Sequence, residues 1–131
     1  MTTPTLDFTP PTADAVIAKV REIAAEAPAF VYSETDEHDG PTCRYVKNGE
    51  GSCIVGKALV ALGVPVDFFD RPSVSGSPLN TVGIWQSTLR DLLGWQRDLN
   101  NDWLQAVQAQ QDVGCAWGIA VEFADKRCPL S

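Results

Sequence analysis

Hydrophobic residues recur every three or four positions in several stretches of this chain, a spacing that predicts amphipathic helices. Thr12 can cap the first helix, and Pro28 ends it. The apolar positions of this helix are Val16, Val20, Ile23 and Ala27. The five predicted helices lie between Thr12 and Pro28, between Ser52 and Gly63, between Asn80 or Thr81 and Gly94, from about Asn101 to Asp112, and from Ala116 to Lys126.

Two of these helices have well-defined apolar faces. The second helix, capped by Ser52, has an inward face of Ile54, Val55, Ala58, Leu59 and Leu62. The fifth helix has an inward face of Trp117, Ala120, Phe123 and Ala124. These two faces are predicted to form much of the core.

The remaining regular pattern predicts one small hairpin. Ala29–Tyr32 is rich in aromatic and β-branched residues, and Cys43–Lys47 alternates between apolar and polar positions. The connection from Ser33 to Thr42 is acidic and contains Gly40-Pro41, so we expect an exposed loop. The predicted fold class is therefore α+β and mainly helical, with about five helices and one β-hairpin.

The length and charge of the chain limit the number of domains and the kinds of partner that it can have. With 131 residues, 44% of them hydrophobic, residues 1–131 are predicted to form a single domain with flexible tails at 1–11 and 126–131. Ten basic and 17 acidic residues give a net charge of −7, which disfavours binding to nucleic acid or to anionic membranes. The first residues match neither a signal peptide nor a membrane span, so we expect a cytoplasmic protein with four reduced cysteines.

A near match to a phosphate-binding loop lies at the start of the second helix. Gly51–Ala58 fits G-x-x-x-x-G-K-[ST] except at Ala58, where the hydroxyl that normally binds Mg²⁺ is missing. The interior of the motif also supplies apolar positions of the helix. The segment is therefore interpreted as a capped core helix, and no cofactor is expected.

The cysteines raise two further hypotheses. Cys53 lies in a first helical turn, where backbone N–H groups stabilise a thiolate, so a small enzyme that uses Cys53 is one alternative. The chain has a single histidine, His38, in an acidic loop that favours its protonated form, so a buried thiol is the preferred interpretation. Cys43 and Cys128 could join them at a zinc ion, but no Cys-x-x-Cys pair exists and no metal is expected.

The helix pair around Gly114 resembles a helix-turn-helix in outline, so a small DNA-binding regulator is another alternative. The second helix of the pair is mostly apolar and offers few side chains that could read bases. Lys126 and Arg127 at its end are the residues that could contact phosphate. These features do not favour DNA binding.

Partner binding is expected at exposed aromatic, basic and acidic residues. Trp85, Trp95, Trp103 and Trp117 all lie in the last third of the chain. Core or semi-core packing is the preferred interpretation for all four, and partial exposure is the alternative for Trp95, which follows the helix stop at Gly94. Trp and Arg are enriched in binding hot spots. The candidate partner-binding residues are Trp95, Arg97, Asp36, Glu37 and Asp39.

Several segments together resemble a group of phage proteins. They are Phe30-Val-Tyr32, Cys43-Arg-Tyr-Val46, Ser52–Leu59 with Leu62-Gly-Val64, and the Trp103–Gly118 pattern. The pattern is similar to small proteins of actinobacteriophages and their actinobacterial hosts, a group with no assigned activity. This resemblance implies an accessory protein in the infected cell, acting in the host cytoplasm. The function expected is non-enzymatic binding of a host or phage protein, and homodimerisation stays open.

Overall fold

Four α-helices dominate the computed structural model, which describes residues 8–32, 35–36, 40–41, 45–47, 49–70, 93–95 and 99–129. The helices are α1 (Ala13–Glu26), α2 (Ile54–Ala61), α3 (Leu99–Asp112) and α4 (Trp117–Arg127), with a 3-10 helix at Val66–Asp70. Within these residues there are also four two-residue strands: β1 (Thr35–Asp36), β2 (Gly40–Pro41), β3 (Val46–Lys47) and β4 (Glu50–Gly51). The prediction of a mainly helical chain is confirmed.

Helix α1 forms where the sequence predicts it. The hydroxyl oxygen of Thr12 accepts a hydrogen bond from the backbone N–H of Ala15 at 3.1 Å, which satisfies one of the free amides of the first turn. Val16 and Val20 are fully buried, and the helix ends at Glu26, just before Pro28. Cap and periodicity are both local signals, so they locate this helix well.

The cap of α2 differs from the prediction. The N-cap residue is Cys53, whose sulfur accepts from the backbone N–H of Gly56 at 3.4 Å. The Ser52 hydroxyl is instead hydrogen-bonded to the Tyr32 hydroxyl at 2.9 Å. This bond draws Ser52 away from the helix, and the cap falls one residue later.

The predicted hairpin pairing is wrong. Strand β3 pairs with β4 in antiparallel register, with Val46 opposite Gly51, and a turn at Gly49 with φ of +79° connects them. Val31 instead forms an isolated bridge with Ala116 at the start of α4. A second antiparallel pair, β1 with β2, lies inside the segment expected to be a loop. Local pairing across a tight turn has replaced the longer-range pairing.

The third predicted helix, from Asn80 or Thr81 to Gly94, lies mostly outside the described residues. At its end, Leu93 and Trp95 are buried, and Gly94 adopts a positive φ of 75°, as expected of a residue that ends a helix.

Helices α3 and α4 form a hairpin around Gly114, whose φ of +98° is in the left-handed region that favours glycine. Leu99 at the start of α3 and Arg127 at the end of α4 line the same groove, so the two helices run antiparallel. Trp103, Leu104 and Val107 turn inward from α3 and are fully buried. Their spacing of one, three and four positions along the sequence places them on one side of the helix.

A charged cluster ties this hairpin to α1. Arg21 donates two hydrogen bonds to the Asp125 carboxylate, at 2.9 and 2.6 Å, and its Cζ lies 4.9 Å from the centroid of the Trp103 ring. The indole N–H of Trp103 also donates to Asp125, at 2.9 Å. The hydrogen bond from Arg21, helped by that from Trp103, lowers the pKa of Asp125. One carboxylate thus connects α1, α3 and α4.

We predict that replacing Asp125 with Asn lowers the free energy of unfolding by about 1 kcal/mol at neutral pH, because the pair is partly exposed and screened by solvent. The lowered pKa of Asp125 means that its contribution is complete above the ordinary carboxyl pKa and is lost as the pH falls through the folded-state value. Melting curves of both proteins from pH 7 to pH 3 should therefore converge under acid. A constant difference at every pH would contradict the ionic role of Asp125.

Candidate functional site

The phosphate-loop-like segment packs tightly against neighbouring backbone. A Cβ atom added at Gly56 would overlap the backbone carbonyl of Tyr45, and one added at Gly51 would lie 2.7 Å from the Cα of Lys57. Both glycines therefore permit the β3–β4 pair to approach the first turn of α2. Their spacing is explained by this packing without a phosphate.

The backbone amides in this turn already have partners. The N–H of Ile54 donates to the side-chain carbonyl of Gln111 at 2.7 Å, and the N–H of Gly56 donates to the Cys53 sulfur. The N–H of Lys57 donates to the Cys53 carbonyl at 2.8 Å. A phosphate cradle needs free amides that point at the ligand, whereas three of these amides are engaged by the protein itself.

Cys53 has a structural place in this arrangement. Its side chain is fully buried, and its sulfur serves as the helix cap. His38, the one histidine of the chain, lies outside the described residues. The Cys53 environment is that of a buried thiol, as the sequence suggested.

Two of the four residues considered as zinc ligands, Cys53 and Cys128, lie within the described part of the chain. Cys53, Cys115 and Cys128 are free thiols, while His38 and Cys43 lie outside the described residues. Within the part of the chain that the structure describes, no three His, Cys, Asp or Glu side chains are placed to hold a metal ion.

Trp95 packs in the core, the interpretation preferred for all four tryptophans. Its side chain is only 7% exposed, and its indole N–H donates to the carbonyl of Pro11 at 2.8 Å. The alternative of a partly exposed Trp95 is therefore wrong, because the indole has both a packing site and a hydrogen-bond acceptor near the start of α1. Arg97, Glu37 and Asp39 lie outside the described residues, and Asp36 belongs to strand β1.

The outer side of α4 is more apolar than the sequence suggested. Trp117, Ala120 and Ala124 are buried as predicted, but Phe123 is 38% exposed and Ile119 is 58% exposed. Phe123 was expected to face the core, and that expectation is wrong. Phe123 is four residues after Ile119, so both side chains lie on the same outward stripe of α4.

An open groove runs between α3 and α4 beside this stripe. Its volume is about 610 Å³, and Phe123 and Arg127 line one wall while Leu99 and Asp102 line the other. The small side chains of Ala106 and Ala109 also line it, and leave space between the helices. Leu99, Asp102, Ala106 and Ala109, followed by Val113, recur every three or four residues and form one stripe of α3.

These two stripes flank the groove, and we call the surface that they form the α3–α4 face. Its exposed residues are Leu99, Asp102, Val113, Ile119, Phe123 and Arg127. Among the described residues, six large hydrophobic side chains are exposed, and four of them belong to this face. The other two, Phe30 and Val31, lie beside the start of α4, where the Phe30 ring is 4.4 Å from that of Trp117.

Sequence reasoning did not find this face. Helical periodicity places Phe123 near the boundary of the apolar side of α4, where only the position of α3 decides its exposure. The feature of the sequence that could have predicted this face is the four-residue spacing of Ile119 and Phe123, two large hydrophobic residues on one stripe of α4.

Comparison with known proteins gives no guide to this surface, since no family model, curated protein or solved structure matches the chain. Among the residues that the structure describes, no helix is long and apolar enough to cross a membrane.

We predict that Gly56→Ala lowers the free energy of unfolding by at least about 3 kcal/mol, because the new methyl group would force the Tyr45 backbone away. Lys57→Ala is the matched control, since it adds alanine at the next position, which is exposed. Denaturant unfolding would measure both changes.

The same proteins test the phosphate-loop alternative. Neither wild type nor Lys57→Ala should gain thermal stability from ATP with Mg²⁺, because the amides of this turn are engaged. A nucleotide-dependent shift in wild type that Lys57→Ala abolishes would restore the phosphate-loop interpretation.

Proposed function

We propose that this chain acts by binding another protein through the α3–α4 face rather than by catalysis. The observation that supports the proposal is the concentration of exposed Leu99, Val113, Ile119 and Phe123 on one face of a helical hairpin. Single exposed hydrophobic residues are ordinary on protein surfaces, but contiguous groups mark interaction sites. The groove between the two helices offers a recess for a partner side chain.

The resemblance to actinobacteriophage proteins suggests the setting. In that setting the chain is an accessory protein in the cytoplasm of the infected cell, and its partner is a host or phage protein. Its excess of acidic residues also limits nonspecific association with nucleic acid, which would otherwise compete with a protein partner.

The DNA-binding alternative gains little from the geometry of the hairpin. The outward side of α4 offers Ile119, Glu122, Phe123 and Lys126, a set with two hydrophobic side chains and one carboxylate. A recognition helix needs polar side chains that reach base edges and basic residues that contact phosphates. This helix is better suited to an apolar protein surface.

We predict that wild-type protein immobilised on beads retains a specific partner from lysate of phage-infected actinobacterial cells, and that Ile119→Glu reduces its recovery at least about tenfold. A carboxylate at this exposed position would require desolvation at the interface. Quantitative mass spectrometry of the retained proteins would measure the difference.

Ala61→Glu is the control for this experiment, because it introduces the same charge at an exposed position of α2, outside the face. Both variants should melt near the wild-type temperature. Equal recovery on wild type and Ile119→Glu beads would show that the α3–α4 face is not the binding surface.

A further inference from the structure

We propose that the partner seated on the α3–α4 face is a second copy of this chain, which forms a symmetric dimer with a four-helix interface. This inference rests on the proposed role of the face in protein binding, and it names the occupant. An antiparallel helix pair with an unpaired apolar side commonly completes its core against another helix pair, and two copies of one hairpin provide such an arrangement.

The charges of the face favour a copy over a basic partner. The chain as a whole has 17 acidic and ten basic residues, whereas this side of the hairpin is balanced: Glu122 and Lys126 adjoin the face on α4, and the face itself has Asp102 and Arg127. Neither Asp102 nor Arg127 has an ion-pair partner among the residues that the structure describes. A symmetric interface requires both members of each complementary pair on the same surface, and this face has both.

The antiparallel course of the hairpin fixes how these charges would meet. A two-fold axis parallel to the groove places α3 of one copy over α4 of the other, with their ends aligned. The first turn of α3, with Asp102, then lies at the last turn of the opposite α4, with Arg127. At the other end, Val113 of one copy meets Ile119 of the other, so apolar residues also face apolar residues.

The size of the face indicates a dimer of modest affinity. Helix α3 has 14 residues and is therefore about 21 Å long, and two adjacent helices are about 20 Å wide. The projected area is about 400 Å² per copy, at the low end for specific association, where about 800 Å² of accessible surface per partner is typical. Self-association is therefore expected to be weak, and its test needs a wide range of protein concentrations.

Sedimentation equilibrium of the full chain tests the proposal. From about 1 to about 500 µM, the mass should rise from the monomer value of 14.2 kDa towards twice that value. Ile119→Glu should raise the dimer Kd at least about tenfold, and Ala61→Glu should leave it unchanged. If Ile119→Glu fails to fold, Val113→Glu replaces it, because Val113 is 75% exposed in the turn between the helices.

The pairing of Asp102 with Arg127 has a sharper test in two charge reversals. Asp102→Lys and Arg127→Glu should each weaken self-association about tenfold, because each homodimer then has like charges in both of its symmetry-related pairs, which lie at the same end of the interface. An equimolar mixture of the two variants should form a heterodimer with wild-type affinity, since both charge pairs are restored across the interface. Pairing within one chain would give no such recovery on mixing.

A monomer at every concentration, or a dimer insensitive to Ile119→Glu and Val113→Glu, overturns the inference. A dimer that survives both charge reversals, or variants that fail to recover on mixing, overturns the proposed symmetry. None of these results removes the protein-binding function, which fails only if Ile119→Glu and wild type retain the same proteins from lysate.

Discussion

The side-chain carbonyl of Gln111 is the point on which the arrangement of the helices depends. It accepts hydrogen bonds from the backbone N–H of Ile54 at 2.7 Å and from the indole N–H of Trp117 at 3.1 Å. Gln111 is fully buried, so its absence would leave two donors without a protein acceptor, at a cost of roughly 1–3 kcal/mol each. One amide near the end of α3 therefore fixes the beginnings of both α2 and α4.

The Asp125 carboxylate plays a corresponding role further along α4, where Arg21 and Trp103 bind it. Gln111 and Asp125 together fix the hairpin from its inner side, near the two ends of α4. The outer side of α4 takes no part in the hydrogen bonds of Gln111 and Asp125, and Ile119 and Phe123 remain exposed there. A surface held rigidly from behind loses little conformational entropy when a partner binds, which favours association.

The sequence predicted those features whose causes are local. The Thr12 cap, the stop at Pro28 and the turn at Gly114 each depend on residues within a few positions. The sequence did not predict features that depend on a residue far away in the chain. Tyr32 is hydrogen-bonded to the Ser52 hydroxyl, and the Pro11 carbonyl accepts a hydrogen bond from the Trp95 indole. The alternative of a partly exposed Trp95 failed for the same reason, since its burial depends on packing near α1.

The exposed hydrophobic residues of the α3–α4 face lower the solubility of the protein. Val113 and Ile119 are 75% and 58% exposed, yet an ordinary soluble surface would accept polar residues at both positions without loss of core packing. Ala106 and Ala109 also leave a groove where larger side chains would fill the space between the helices. Both features reduce the cost of bringing an apolar surface against this face, so we infer that the face is shaped by association.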